Sequence, residues 1–244
     1  KTAETAFENI DKALRDGIAR WKEAVAQRPD AYSAHEELAQ LAEKRDELEL
    51  AAAHFREAWK LRPQHRAFLL DMGRVLKGLG RAEESVTALL AASRGAEPRT
   101  AEKARELLPE RYPYVYEFEK ALALDPTNTP LRRELAYLLL EMNRREDAER
   151  VFEELRKVAP DDRLSAAQLG FLNLQRDAAA ARGLLDKVLE SDDDELSDRV
   201  RAALHLPQTL RRRPETPRAK VNSEAKALAD KSMKAGFLKD AVRY

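Results

Sequence analysis

Four histidines, at positions 35, 54, 65 and 205, are the side chains of this sequence best suited to bind a metal ion or move a proton near neutral pH. Their spacing supports neither use. No two stand at i and i+4, and no acid recurs beside them in a ligand pattern. His54 adjoins Phe55 and is expected on the outer face of its helix. The acids from Asp192 to Glu195 offer oxygens for calcium, but a calcium loop alternates its ligands around a central glycine, and these are consecutive. They read as the opening of a helix, with negative charge at the positive end of its dipole. Cysteine is absent, which removes disulfides, thiolate sites and thiol nucleophiles together. No glycine-rich phosphate loop, nucleophile elbow or paired-carboxylate motif occurs. No catalytic residue, cofactor or metal is expected, and the chemistry left is recognition.

Charge narrows the partner. Lysine plus arginine equals aspartate plus glutamate, 44 against 44, where a dedicated nucleic-acid binder would carry a basic excess. The one basic cluster, Arg211, Arg212 and Arg213 with Arg218 and Lys220, has no interleaved aromatic on which bases would stack. Oppositely charged residues at 192–195 and 198 offset it. Prolines 207, 214 and 217 make this stretch a loop or hinge. No run of 18 apolar residues is present, so no membrane-spanning helix is expected.

The elements that would carry a recognition surface announce themselves by period. Prolines 29, 63, 98, 126 and 160 are separated by 34, 35, 28 and 34 residues. A repeat near 34 is the mark of stacked helix-turn-helix units. Eight residues before a proline stands a bulky side chain, as at Trp21, Phe55, Phe118 and Phe152, with Leu89 one place out of step. Five before it stands alanine at 24, 58 and 121, with Ala92 matching after the same slip and Leu155 the exception. Earlier in each unit a large–small pair returns: Leu38-Ala39, Met72-Gly73, Leu135-Ala136, Leu169-Gly170 and Leu228-Ala229. Small residues at 51, 85, 148 and 241 fall where the second helix must cross the first. Small side chains at a crossing let backbones approach to the short end of the ~8–10 Å packing range. Gly78 and Gly80 mark a turn between paired helices. Thr129-Pro130 reads as a cap followed by proline at the first helical position, and Thr100 and Asp161-Asp162 are further capping candidates.

This pattern resembles the tetratricopeptide repeat, whose units pair Leu with Gly or Ala early, place Ala-x-x-x-Phe-x-x-Ala late and end in proline. Leu38–Pro63 and Leu135–Pro160 match best, and Tyr114–Pro126 is a half-match. The resemblance implies an all-α, right-handed superhelix of about six units over 1–192. They lie at roughly 1–31, 32–65, 66–99, 100–128, 129–162 and 163–192. An irregular helical and Pro/Arg-rich connector over 193–218 and a partial unit over 219–244 complete the division. The fourth unit is short, so its first helix, Ala101–Leu108, is expected to be shortened or tilted.

In this family the first helices of successive units line an inner wall that holds the ligand. The matching positions here are Gln40, Glu43 and Lys44, then Arg74 and Lys77, then Arg133 and Tyr137, then Phe171 and Leu174. Tyr137 and Phe171 would anchor an apolar partner segment, unless Phe171 and Leu174 merely fill space in a compressed sixth unit. Arg74, Lys77 and Arg133 would suit an acidic peptide, or they are a solvated face. The carboxylate clamp of some relatives uses lysine, asparagine and arginine where this chain has Glu36, Gln40, Leu70 and Arg74, and as only Arg74 has the right chemistry that mode is rejected.

The function implied is non-catalytic binding of another protein or peptide, as scaffold or adaptor. The alternatives are a regulatory or substrate-presenting region of a larger enzyme or envelope assembly protein, and a self-assembly module pairing copies through 191–218. The chain starts without methionine and stops inside a repeat, so a longer natural protein, of bacterial character, is expected. Cytoplasm and periplasm are equally open.

Overall fold

The computed structural model describes residues 2–190 and 195–206, all of them helix and connecting turns. Twelve helices are described: α1 (Thr2–Gln27), α2 (Tyr32–Lys44), α3 (Leu48–Leu61), α4 (Ala67–Gly78), α5 (Ala82–Ser93), α6 (Pro98–Leu107), α7 (Val115–Leu124), α8 (Thr129–Glu141), α9 (Arg145–Val158), α10 (Arg163–Asn173), α11 (Ala178–Leu189) and α12 (Glu195–Ala203). They fall into two compact units that divide between Leu172 and Asn173. The partial repeat expected over 219–244 and the basic cluster lie outside the described residues.

The first unit is a stack of antiparallel helix pairs, each resting on the next. α2 packs on α3, α4 on α5 and α8 on α9, with α3 meeting α4 between pairs. Residues 2–27 do not form the hairpin expected of a first repeat. They are one 26-residue helix laid against α2, and Gly17 lets it approach, since a Cβ there would meet Leu41 Cδ1 at 2.9 Å. The shortened fourth unit is α6 with α7. α6 begins at Pro98, earlier than expected, because proline at a first helical position loses no hydrogen bond. α5 then packs on α6 and α7 alike, which carries the stack past the short element.

The size code explains the core. Leu38, Ala39, Phe55, Ala58, Phe118, Ala121, Ala136 and Phe152 are wholly enclosed. Met72 and Gly73 show how a small residue sets the spacing. A Cβ on Gly73 would lie 2.6 Å from Leu89 Cγ, and Ser85 Oγ donates to the Gly73 carbonyl at 2.7 Å.

The turns inside the pairs share one device. Asp46, Gly80 and Asn143 all adopt left-handed backbone, with φ of 63°, 73° and 58°. The amide that follows each of them donates back to a carbonyl of the preceding helix: Glu47 to Ala42 at 2.8 Å, Arg81 to Leu76 at 3.0 Å and Arg144 to Leu139 at 2.8 Å. This satisfies a helix-end carbonyl that would otherwise be stranded. Gly78, read from sequence as part of the turn, is the last helical residue of α4. At α8 the cap is Asn128, whose side chain accepts from the Leu131 amide at 3.1 Å, so Thr129 and Pro130 sit one position further in than expected. The second unit contains α11 packed on α12 and repeats the turn device, with His205 at φ 54° and Leu206 donating to Arg201 at 2.8 Å.

Candidate functional site: the outward face of α2 and α4

α2 buries Ala34, His35, Leu38, Ala39 and Ala42, and α4 buries Phe68, Leu69, Met72, Gly73, Val75 and Leu76. The 3.6-residue period turns the remaining side chains away from that core. Gln40, Glu43 and Lys44 of α2 join Asp71 and Arg74 of α4 around a depression of about 440 Å³. Four of the five come from positions that the repeat register assigns to the inner wall, and Asp71 is the addition.

Arg74 bridges the two helices. It donates to Asp71 at 2.7 Å and to Glu43. Burial lifts the Asp71 carboxyl to about 6 and nearby Glu36 adds to the rise, with Lys103 and His65 opposing it. Burial likewise draws Arg74 down from its usual range. Both groups are therefore held in their charged forms at some cost.

Lys77, Arg133 and Tyr137, also positions of the expected groove, make contacts within the chain. Lys77 Nζ donates to the Leu107 carbonyl at 2.9 Å, closing the C-terminal end of α6 where the dipole is negative. Arg133 donates to Asp162 through Nε at 3.2 Å and Nη2 at 2.7 Å, tying α8 to the turn before α10. Burial pushes the Asp162 carboxyl up, but bonds from Ser165 and Arg133 outweigh it and hold it below the usual range. Tyr137 is half-buried with its ring edge-on to Phe152, centroids 5.6 Å apart. Phe171 is half-buried on α10, and Leu174, also half-buried, belongs to the second unit. The cations picked as an acidic-peptide groove are thus each met by an oxygen of this chain.

One exposed feature was missed. Tyr114 and Tyr116 stack with centroids 5.8 Å apart and planes 16° from parallel. The Arg111 guanidinium lies 4.2 Å from the Tyr114 centroid, and Lys120 Nζ 5.6 Å from that of Tyr116. Two aromatic rings with a cation for each make a rigid surface patch. Arg111 also grips Glu117 by bonds of 2.9 and 2.6 Å, and Glu117 accepts from the Tyr114 amide at 2.8 Å. Tyr112 completes the group by donating to Glu134 at 2.9 Å. The alternation of tyrosine at 112, 114 and 116 was the available signal.

Among the described residues no group of three or more His, Cys, Asp or Glu side chains is placed to hold a metal ion. No described helix is long and apolar enough to cross a membrane.

Residues 115–169, from the start of α7 into α10, match the tetratricopeptide repeat family. Over that segment the chain is similar to tetratricopeptide repeats. Repeats of this family are in general non-catalytic scaffolds for contacts between proteins. No curated protein matches the sequence. Among solved structures it is similar to a thermophilic TPR protein of Thermus thermophilus, at 17% identity over 84% of this chain and 95% of that one, with a TM-score of 0.33. It is also similar to YrrB, a TPR protein with an unusual peptide-binding site, at 17% identity over 76% and 96%, TM-score 0.32. MamA of Desulfovibrio magneticus gives 17% identity over 76% and 93%, TM-score 0.29. Overlap is low in each case, and what those proteins bind is a property of theirs.

Proposed function

We propose that this chain is a protein-binding scaffold that holds a peptide or helix of its partner against the outward face of α2 and α4. The observation that carries this reading is the depression lined by Gln40, Glu43, Lys44, Asp71 and Arg74. The side chains lining it are all polar or charged while the opposite sides of the same helices are core. Arg74 already shares itself between two carboxylates and can turn toward a partner's acceptor while keeping one of them. Helix pairs that rest on their neighbours present such a face without refolding, which spares the ordering cost of a flexible binder. Arg133 and Tyr137 of α8 are proposed as secondary contacts, and Phe171 and Leu174 as contacts of their own units.

The test is affinity capture from an extract of the source organism, with wild-type chain and the double variant Gln40→Ala, Arg74→Ala side by side. Both positions are outward, so helical content measured by circular dichroism should be unchanged. A protein retained by the wild type and lost on the variant supports the proposal. Equal retention by both would move the binding face elsewhere.

A further inference from the structure

His35 of α2 and His54 of α3 meet between the two helices, Nδ1 to Nδ1 at 2.9 Å, with ring centroids 5.0 Å apart. His54 is therefore not on the outer face, as its place beside Phe55 suggested. His35 is buried, and its Nε2 lies 3.1 Å from the Pro29 carbonyl oxygen. A carbonyl can only accept, so His35 Nε2 carries a proton and donates it there. In neutral His35 the Nδ1 is then a bare lone pair. The proton between the rings must belong to His54, which donates from Nδ1 and keeps its own lone pair on Nε2.

This wiring admits one added proton and rejects a second. The first goes to His54 Nε2 and leaves the bond between the rings in place. The second would have to enter His35 Nδ1, setting two N–H groups head to head between two cations. We propose that the His35–His54 pair is an acid-release clasp between α2 and α3: closed with no proton or one, open with two.

The charged groups around it come from α1 and α3. Lys22 of α1 opposes protonation of His54, and Glu57 of α3 favours it, while Lys60 holds the Glu57 carboxylate low. Burial is the largest influence on His54, and with His35 it lowers that imidazole below its usual 6.5. A base whose affinity for protons falls on folding is bound more tightly in the unfolded chain. The pair's contribution is therefore complete above the usual histidine value and is eroded below it, first by the cost of charging buried His54 with the clasp still closed and then by the second proton, which opens it. α2 also carries Gln40, Glu43 and Lys44, but the clasp stands whether or not that face binds a partner.

The test uses the full chain, with long-range proton–nitrogen NMR of the imidazoles and peptide-resolved amide exchange followed from about pH 7.5 to about pH 4.5. His54 should show the Nδ1–H tautomer when neutral and titrate below 6.5. Opening of α2 and α3, corrected for intrinsic exchange, should rise steadily as pH falls over that range. His54→Gln keeps a donor toward His35 and removes one titrating ring, so its rise should be markedly smaller. An Nε2–H tautomer for His54, titration at or above 6.5, or an equal acid response in His54→Gln would overturn the clasp. The tautomer is read on the wild-type chain and decides the matter even where the variant fails to fold.

Discussion

Two glycines placed in different surroundings make the sharpest test of the packing argument. Gly73 and Gly183 both lie inside helices, α4 and α11. Replacing either by alanine removes the same backbone freedom, worth ~0.8–1.0 kcal/mol in favour of alanine. The space around them differs. A Cβ on Gly183 meets nothing within 4 Å. On Gly73 it meets Leu89 Cγ at 2.6 Å, Leu89 Cδ2 at 2.8 Å and the Leu89 amide nitrogen at 3.3 Å. Ordinary carbon contacts lie near ~3.5–4.0 Å, so Leu89 would have to retreat by about an ångström. Leu89 is itself buried and the Ser85 bond to the Gly73 carbonyl depends on the same close approach. Overpacking of this kind costs ~1–3 kcal/mol. Gly73→Ala should therefore lose up to about 2 kcal/mol net, while Gly183→Ala should gain a little under 1 kcal/mol. Amide exchange resolved by peptide reads α4–α5 and α11 separately, so each variant is judged in its own unit. If Gly73→Ala stabilises as much as Gly183→Ala, the α4–α5 crossing is wider than described and the size code is wrong.

Phe152 is wholly buried and meets the Tyr137 ring, so Phe152→Ala should cost about 3–5 kcal/mol, seen as a lower urea midpoint. Asp46→Gly and Asn143→Gly relieve a left-handed strain of ~1–2 kcal/mol per ordinary residue, so each should raise the midpoint, with the smaller gain at asparagine. Gly80→Ala, at the equivalent turn, should lower it by about 1 kcal/mol. The Arg111 bond, with the Tyr114 amide, holds the Glu117 carboxyl below its usual range, against burial. Its stabilisation is present above the ordinary carboxylate value and is lost as pH falls through the lowered folded one. Acid melts of Glu117→Gln should accordingly show a flatter pH dependence below about pH 4.5 than the wild type.

Which parts of this molecule can be read without coordinates follows from what physics each part uses. Core positions such as Leu38-Ala39 and Phe152 are legible because packing constrains volume, and volume is a property of the residue. The turn device is legible only at Gly80. Asp46, Asn143 and His205 hold the same conformation through backbone bonds that any of these types can make. The cap at α8 slipped by one place because asparagine and threonine both accept from an amide, and only geometry shows that Asn128 does. On the outward face of α2 and α4 the positions were readable and the charge state was not. Apart from the local Arg74–Asp71 bond, Arg74 lies 31 residues from Glu43, Lys77 30 from Leu107 and Arg133 29 from Asp162. No local pattern reports such meetings. The His35–His54 contact, 19 residues apart, was hidden for the same reason.

Trp59 Nε1 donates to the Leu124 carbonyl at 3.2 Å, Arg66 to Asp125 at 2.8 Å, and Asn128 to the Ala91 carbonyl at 3.0 Å. The first two bonds rivet α3 and the approach to α4 onto the end of α7, and the third ties the approach to α8 onto α5, across the stretch where the repeat is shortest. A strand of pairs that touch only their neighbours would otherwise unzip from either tip under tension, one pair after the next. With the rivet in place, a pulling force applied at the termini should meet its stiffest resistance in mid-array rather than at an end, so the weakest-looking repeat becomes the mechanical anchor.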